Sequence, residues 1–115
     1  MESAGEVEKA IKMIEYYQNN AVEFLQDENL PSKFLESYVV NQPLGPTLCN
    51  CLGLTVAILG ILPWNFPIWL SFKISLPALL AGNPILIKMA STVPNCGLAL
   101  EELFFDAYFS FANLI

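Results

Sequence analysis

Residues 37–72 carry no charged side chain, and no acid occurs anywhere from 37 to 100. A stretch like this has two uses. It can lie in a bilayer, or it can form the buried middle of a larger globular body. A spanning helix needs about 20 consecutive apolar residues. The apolar run 48–62 carries Asn50 and stops at Pro63, and extending it crosses Pro63, Asn65 and Pro67. Basic flanks, which orient most spans, are missing as well. The sequence therefore disfavours the membrane and favours a buried interior.

The charges sit elsewhere. Residues 1–36 hold eight acids and three lysines, and the net charge is −6. That balance argues against a nucleic-acid partner, which needs a basic face. The chain has no histidine, so it has no imidazole base and no histidine metal site, and no metal is expected. Three cysteines, Cys49, Cys51 and Cys96, form no even disulfide framework and read as free thiols packed as small hydrophobes. With acidic Glu2, Glu6 and Glu8 at the start, the opposite of a targeting segment, the expected location is cytoplasmic. A length of 115 residues allows one small domain at most.

Punctuation divides the chain. Residues 4–28 predict an amphipathic helix, with Val7, Ala10, Ile11, Ile14, Tyr17, Ala21, Phe24 and Leu25 on one face. Glu6, Glu8, Lys9, Lys12, Glu15 and Glu23 fall on the other, and Ser3 with Glu6 fits a capping box. Pro31 closes the helix. Residues 37–42 predict a short strand. The aliphatic run 55–62 predicts a strand buried on both faces. A proline-rich turn follows, then a helix over 68–81 that stops at Gly82-Asn83. Residues 84–88 predict a second buried strand. Residues 95–107 predict another helix, packed through Leu98, Leu100, Leu103, Phe104 and Ala107. Strand, turn, helix, strand, turn, helix is βαβ grammar, so the expected class is α/β.

One string carries more specific information: Gly60-Ile61-Leu62-Pro63-Trp64-Asn65-Phe66-Pro67, with Lys88 23 residues after Asn65 and Pro77-Ala78-Leu79-Leu80-Ala81-Gly82-Asn83 between them. This combination resembles the aldehyde dehydrogenase family, and most closely its succinate-semialdehyde type. The approach strand at residues 38–45 and the segment Val93-Pro94-Asn95-Cys96-Gly97-Leu98 extend the similarity over most of residues 5–109. The resemblance implies a partial Rossmann-like cofactor-binding domain of the aldehyde dehydrogenase fold, preceded by the amphipathic helix. It divides the chain into a helical segment, 1–36, and an incomplete α/β domain, 37–115. It also implies oxidation of an aldehyde, expected to be a semialdehyde, to its acid with NAD or NADP. In that family a cysteine thiolate attacks the aldehyde, hydride leaves to the cofactor, and water activated by a glutamate hydrolyses the thioester.

By resemblance, the Asn65 side-chain amide donates to the developing oxyanion, where a fixed neutral donor is most effective. Outside this context Asn65 would read as an ordinary turn asparagine. Lys88 resembles the lysine that hydrogen-bonds the adenosine ribose, although a strand-end lysine can also simply reach solvent. Ser91 stands where many NAD-preferring members carry a glutamate, and its small hydroxyl leaves room for a 2′-phosphate. Ile61, Leu62, Pro63 and Trp64 resemble the segment lining the cofactor cleft; Trp64 fits a core position equally well. Cys96 does not resemble the family nucleophile and reads as structural.

Three departures qualify the resemblance. Extra residues near 47–55, with Cys49 and Cys51, interrupt the first strand. No segment resembles the glycine-rich phosphate loop, the general-base glutamate or the nucleophile loop. Asp106-Ala107-Tyr108-Phe109 lacks the glycine expected after the second helix. The chain therefore reads as a truncated family member, inactive alone. The rival expectation is a non-catalytic fragment that docks on a full-length relative.

Overall fold

The computed structural model describes residues 2–33, 36–44 and 58–112, with side chains between residues 4 and 107. The elements run α1 (Glu2–Phe24), β1 (Glu28–Asn29), β2 (Tyr38–Val39), β3 (Ile58–Ile61), α2 (Pro67–Leu80), β4 (Ile85–Lys88) and α3 (Pro94–Ala112). The extra residues near 47–55, with Cys49 and Cys51, and the start of the 55–62 strand lie outside the described residues.

Helix α1 stops at Phe24, short of the expected 28. The residues before Pro31 avoid helical geometry. They pair instead, with Glu28 opposite Val39 and Asn29 opposite Tyr38 in an antiparallel ladder. Leu30 N–H then donates to the Ser37 carbonyl at 2.8 Å. Of the strand expected at 37–42, only Tyr38 and Val39 enter this ladder.

Strands β3 and β4 run parallel, with Ile58 opposite Ile85, Gly60 opposite Ile87 and Ile61 opposite Lys88. Helix α2 is the crossover between them, so the βαβ unit read from the sequence is present. The expectation that both strand faces are buried fails. Leu59 is 56% exposed, Ile61 68% and Leu86 50%. Within the described residues the helices cover one face of the pair, and alternate side chains on the other stay open. Gly60 lies on the covered face, where a Cβ would sit 3.2 Å from Ile74 Cδ1. The absence of a side chain lets α2 approach the sheet.

Helix α2 begins at Pro67, which suits a first-turn position because its missing N–H would be unpaired there anyway. Its other end is a Schellman turn. Asn83 N–H donates to Ala78 O and Gly82 N–H to Leu79 O, each at 2.9 Å, with Gly82 at φ +77°. Ser71, fully buried, returns its hydroxyl to Pro67 O at 2.6 Å, which satisfies it inside the helix.

Ala10, Phe72 and Leu100 form the centre of the core, one residue from each helix, with Ile68, Leu76, Met89 and Phe104 packed around them. The small Ala10 lets α1 lie close on α2. The Phe72 and Phe104 rings are 5.7 Å apart and tilted, a favourable aromatic arrangement. Two of the five packing positions expected on α3 face inward, Leu100 and Phe104. Leu98 and Leu103 are 63% and 54% exposed, and Ala107 is exposed. The inward line is Gly97, Leu100, Phe104, spaced by three and four. A Cβ on Gly97 would meet Met89 Cγ at 2.9 Å, so this line is set by close approach to β4's end rather than by hydrophobicity. Among the described residues no helix is long and apolar enough to cross a membrane.

Candidate functional site

The parallel register puts the carboxyl ends of β3 and β4 side by side. Ile61 is the partner of Lys88, and Leu62 N–H donates to the Lys88 carbonyl at 3.0 Å. The ladder ends there, where the chain turns away at Pro63. The chain bends through Trp64, Asn65 and Phe66 and enters α2 at Pro67. Ligands of open α/β sheets bind outside such strand ends.

The residues singled out from the sequence distribute as follows. Ile61 and Lys88 close their strands and are exposed. Leu62 is half-buried behind them. Pro63, Trp64 and Asn65 are exposed on the bend. Trp64 is 66% exposed, so it is a surface ring and not the core residue that its type alone would allow. Ser91 is exposed in the turn between β4 and α3. The arrangement thus collects Ile61, Leu62, Pro63, Trp64, Asn65 and Lys88 at one sheet edge, with Ser91 shortly after it in the chain. Cys96 is a half-buried free thiol on α3. Among the described residues no group of three metal-ligating side chains occurs.

A separate hollow lies among the described residues. It measures about 600 Å³, is mostly apolar, and is lined by Ser75, Leu79, Ile87, Met89, Leu100 and Phe104 among others. None of the sequence-derived site residues lines it.

One residue behind the site escaped the sequence reading. Glu6 is only 8% exposed, although the periodicity assigned it to the solvent face of α1. Its Oε2 accepts the backbone N–H of Ile68 at 3.0 Å and of Trp69 at 3.1 Å. Ser3, expected to cap α1, lies inside the helix, which begins at Glu2. The available signal was on α2. Phe66, the residue before the helix, has no side-chain cap, and the first turn holds no acid. A helix start lacking both needs an acceptor from elsewhere. Lys9, three residues after Glu6, sets its Nζ 5.9 Å from the Phe66 ring centroid, a cation–π distance.

Comparison with known proteins agrees with the fold. Residues 1–110 match the aldehyde dehydrogenase family. A probable NADP(+) succinate-semialdehyde dehydrogenase of Synechocystis sp. is 39% identical over 108 residues, 94% of this chain and 21% of that protein. The NADP(+) succinate-semialdehyde dehydrogenase of Deinococcus radiodurans is 35% identical over 92% of this chain and 20% of its own length. Among solved structures, the succinic semialdehyde dehydrogenase of Streptococcus pyogenes, in complex with NADP+, superposes with a TM-score of 0.76 at 32% identity, covering 90% of this chain and 20% of that one. The chain therefore spans about a fifth of the length of the relatives it matches. With α1 packed on a β3–α2–β4 unit and the Asn65 bend and Lys88 at its open edge, the chain belongs to the aldehyde dehydrogenase family.

Proposed function

We propose that these residues are the oxyanion-binding and ribose-side portion of an NAD(P)+-dependent semialdehyde dehydrogenase. The carrying observation is the Ile61–Lys88 register, closed by the Leu62–Lys88 hydrogen bond, which brings the Asn65 bend and the Lys88 strand end to one edge. The names of the most similar relatives support a semialdehyde, and succinate semialdehyde first.

The residues fit a dinucleotide cofactor on their own chemistry. Lys88 offers an exposed cation at the strand end, and Ser91 a small exposed hydroxyl. No acid occurs from 37 to 100 to repel a phosphate. Lys88 would hold the ribose hydroxyls, Ser91 would leave space for a 2′-phosphate, and residues 61–64 would form the wall beneath. When bound, the cofactor takes up the hydride that leaves the aldehyde carbon. Asn65 would donate its side-chain N–H to the oxygen that becomes negative as the carbonyl is attacked. The flanking Pro63 and Pro67 limit the bend's freedom, so the donor needs little reorganisation when charge develops.

The nucleophile and general base are assigned to parts of the relatives outside the matched fifth, so the 115 residues alone are expected to give no turnover. Incubation with succinate semialdehyde and NADP+ or NAD+ tests this; sustained NAD(P)H formation would overturn it. Cofactor recognition is tested by quenching of tryptophan fluorescence on NADP+ addition, since Trp64 lies on the proposed wall. Quenching that is absent, or unchanged in Lys88→Met, counts against the site.

A second reading, docking on a full-length relative, is supported by the open strand face with Leu59, Ile61 and Leu86 exposed. Co-expression followed by size exclusion tests it, and elution solely as a free monomer sinks it.

A further inference from the structure

We propose that Glu6 and Lys9 of α1 are positioning residues that clamp the bend carrying Asn65; the functional meaning of the clamp rests on the oxyanion reading of Asn65. Helix α2 has no cap of its own, because Phe66 contributes no side-chain hydrogen bond and the first turn has no acid. The amides of Ile68 and Trp69 point out of the helix start with no intrahelical acceptor. Glu6 meets both with one carboxylate oxygen, at 3.0 and 3.1 Å, from a helix more than sixty residues away in the chain. A carboxylate is the suited group, since it both accepts the hydrogen bonds and answers the positive end of the helix dipole. Its 8% exposure keeps water from competing for those amides.

Lys9 adds a second hold one turn along. Its ammonium lies 5.9 Å from the centroid of the Phe66 ring, the side chain next to Asn65. The two contacts grip the bend from its helical side: Glu6 fixes the backbone just after Pro67, and Lys9 fixes the ring just before it. Neither residue touches the proposed substrate position. Their effect reaches Asn65 through the short, proline-bounded segment between them. An oxyanion donor that is held in place before charge develops is more effective than one that must be ordered during the reaction. The helix α1 thus has a role that its amphipathic pattern does not express.

The test uses the full 115-residue chain, labelled with ¹⁵N, and reads amide hydrogen exchange and side-chain amide signals by NMR. In Glu6→Ala, exchange at Ile68 and Trp69 is expected to rise about tenfold over a Glu8→Ala control, in line with the loss of a helix cap. The Asn65 side-chain amide signals shift in the same variant, while amides deep in α2 keep control rates. Glu6→Gln, which retains shape and an acceptor oxygen, restores slow exchange in large part but moves both amide protons upfield. Should Glu6→Ala not fold, Glu6→Gln decides through those two shifts. Lys9→Met moves the Phe66 ring and Asn65 signals and spares the exchange at Ile68 and Trp69. The proposal is overturned if the Glu6 variants leave these signals as in the control, or change all amides of the chain alike. The exchange and shift readouts need no substrate, so they decide the clamp alone; the oxyanion reading of Asn65 fails or stands separately, on the aldehyde chemistry of the longer enzyme.

Discussion

Leu62 donates its backbone N–H to the Lys88 carbonyl at 3.0 Å, so the main chain of Lys88 is held by the strand ladder and not by its own side chain. The ammonium is exposed and has no structural duty in the described residues. Lys88→Met should therefore leave the thermal midpoint within about 2 °C of the parent, as for most surface replacements. The same variant should lose NADP+-induced quenching of tryptophan fluorescence. A large drop in midpoint would show that Lys88 supports the fold instead.

Gly82 and Gly60 should respond differently to a methyl group. Gly82 sits at φ +77°, and a Cβ there would also lie 3.1 Å from Pro43 Cβ. Gly82→Ala is expected to cost about 1–3 kcal/mol, because both backbone strain and a proline ring resist it. At Gly60 the obstacle is the flexible tip of Ile74 at 3.2 Å. Gly60→Ala should cost about 1 kcal/mol and Gly60→Val about 2–3 kcal/mol. Urea unfolding of the three variants checks the order.

Asn83 ties a loop to the helix end. Its Oδ1 accepts the Leu44 N–H at 2.7 Å, and the residue is 7% exposed. Asn83→Ala leaves a partly buried donor without its partner and should cost about 1–2 kcal/mol. Asn83→Asp keeps the acceptor and should cost less. The comparison is read from denaturant midpoints.

Phe72 is the aromatic centre of the core at 6% exposure. Phe72→Ala should destabilise by about 3–4 kcal/mol, through lost burial, the cavity left behind and the missing Phe104 contact. Phe72→Leu should cost less than half of that. Equal losses for both would mean that the ring geometry, not volume, is what matters.

The Glu8–Lys12 pair, 2.7 Å apart on the outside of α1, sets a pH dependence of known sign. The hydrogen bond from Lys12, then its charge, holds the Glu8 carboxyl below the ordinary value. The hydrogen bond to Glu8, then its charge, holds the Lys12 ammonium above its own. A lowered carboxyl stabilises above its unfolded pKa, and the contribution disappears as pH falls through the folded one. A raised lysine stabilises below its unfolded pKa, and that contribution disappears as pH rises through the folded one. Both groups are fully exposed, so Glu8→Gln should move the neutral-pH midpoint by no more than about 2 °C, and by less in high salt.

The elements around the bend were legible because their punctuation is local. Pro67 and Gly82 bracket α2, and Pro94 opens α3. The βαβ order follows from the alternation of aliphatic runs and proline turns. Burial was less legible, since Leu59 and Leu86 have strand-core chemistry but meet nothing on their face in the described residues. On α3, Leu98 and Leu103 look like core by type; the close approach of Gly97 to Met89 selects a different stripe. Glu6 was least legible. Its charge and position on α1 say solvent, and its partners are amides that any sequence would supply.

The hydrogen bonds from Ile68 and Trp69 to Glu6 also set an order of events during synthesis. Their sequence separations are 62 and 63 residues. At typical elongation rates, α1 leaves the ribosome about 3–12 s before the helix start it caps. Throughout that interval its apolar stripe has no α2 to rest on, and packing of such a stripe supplies most of a helix's stability.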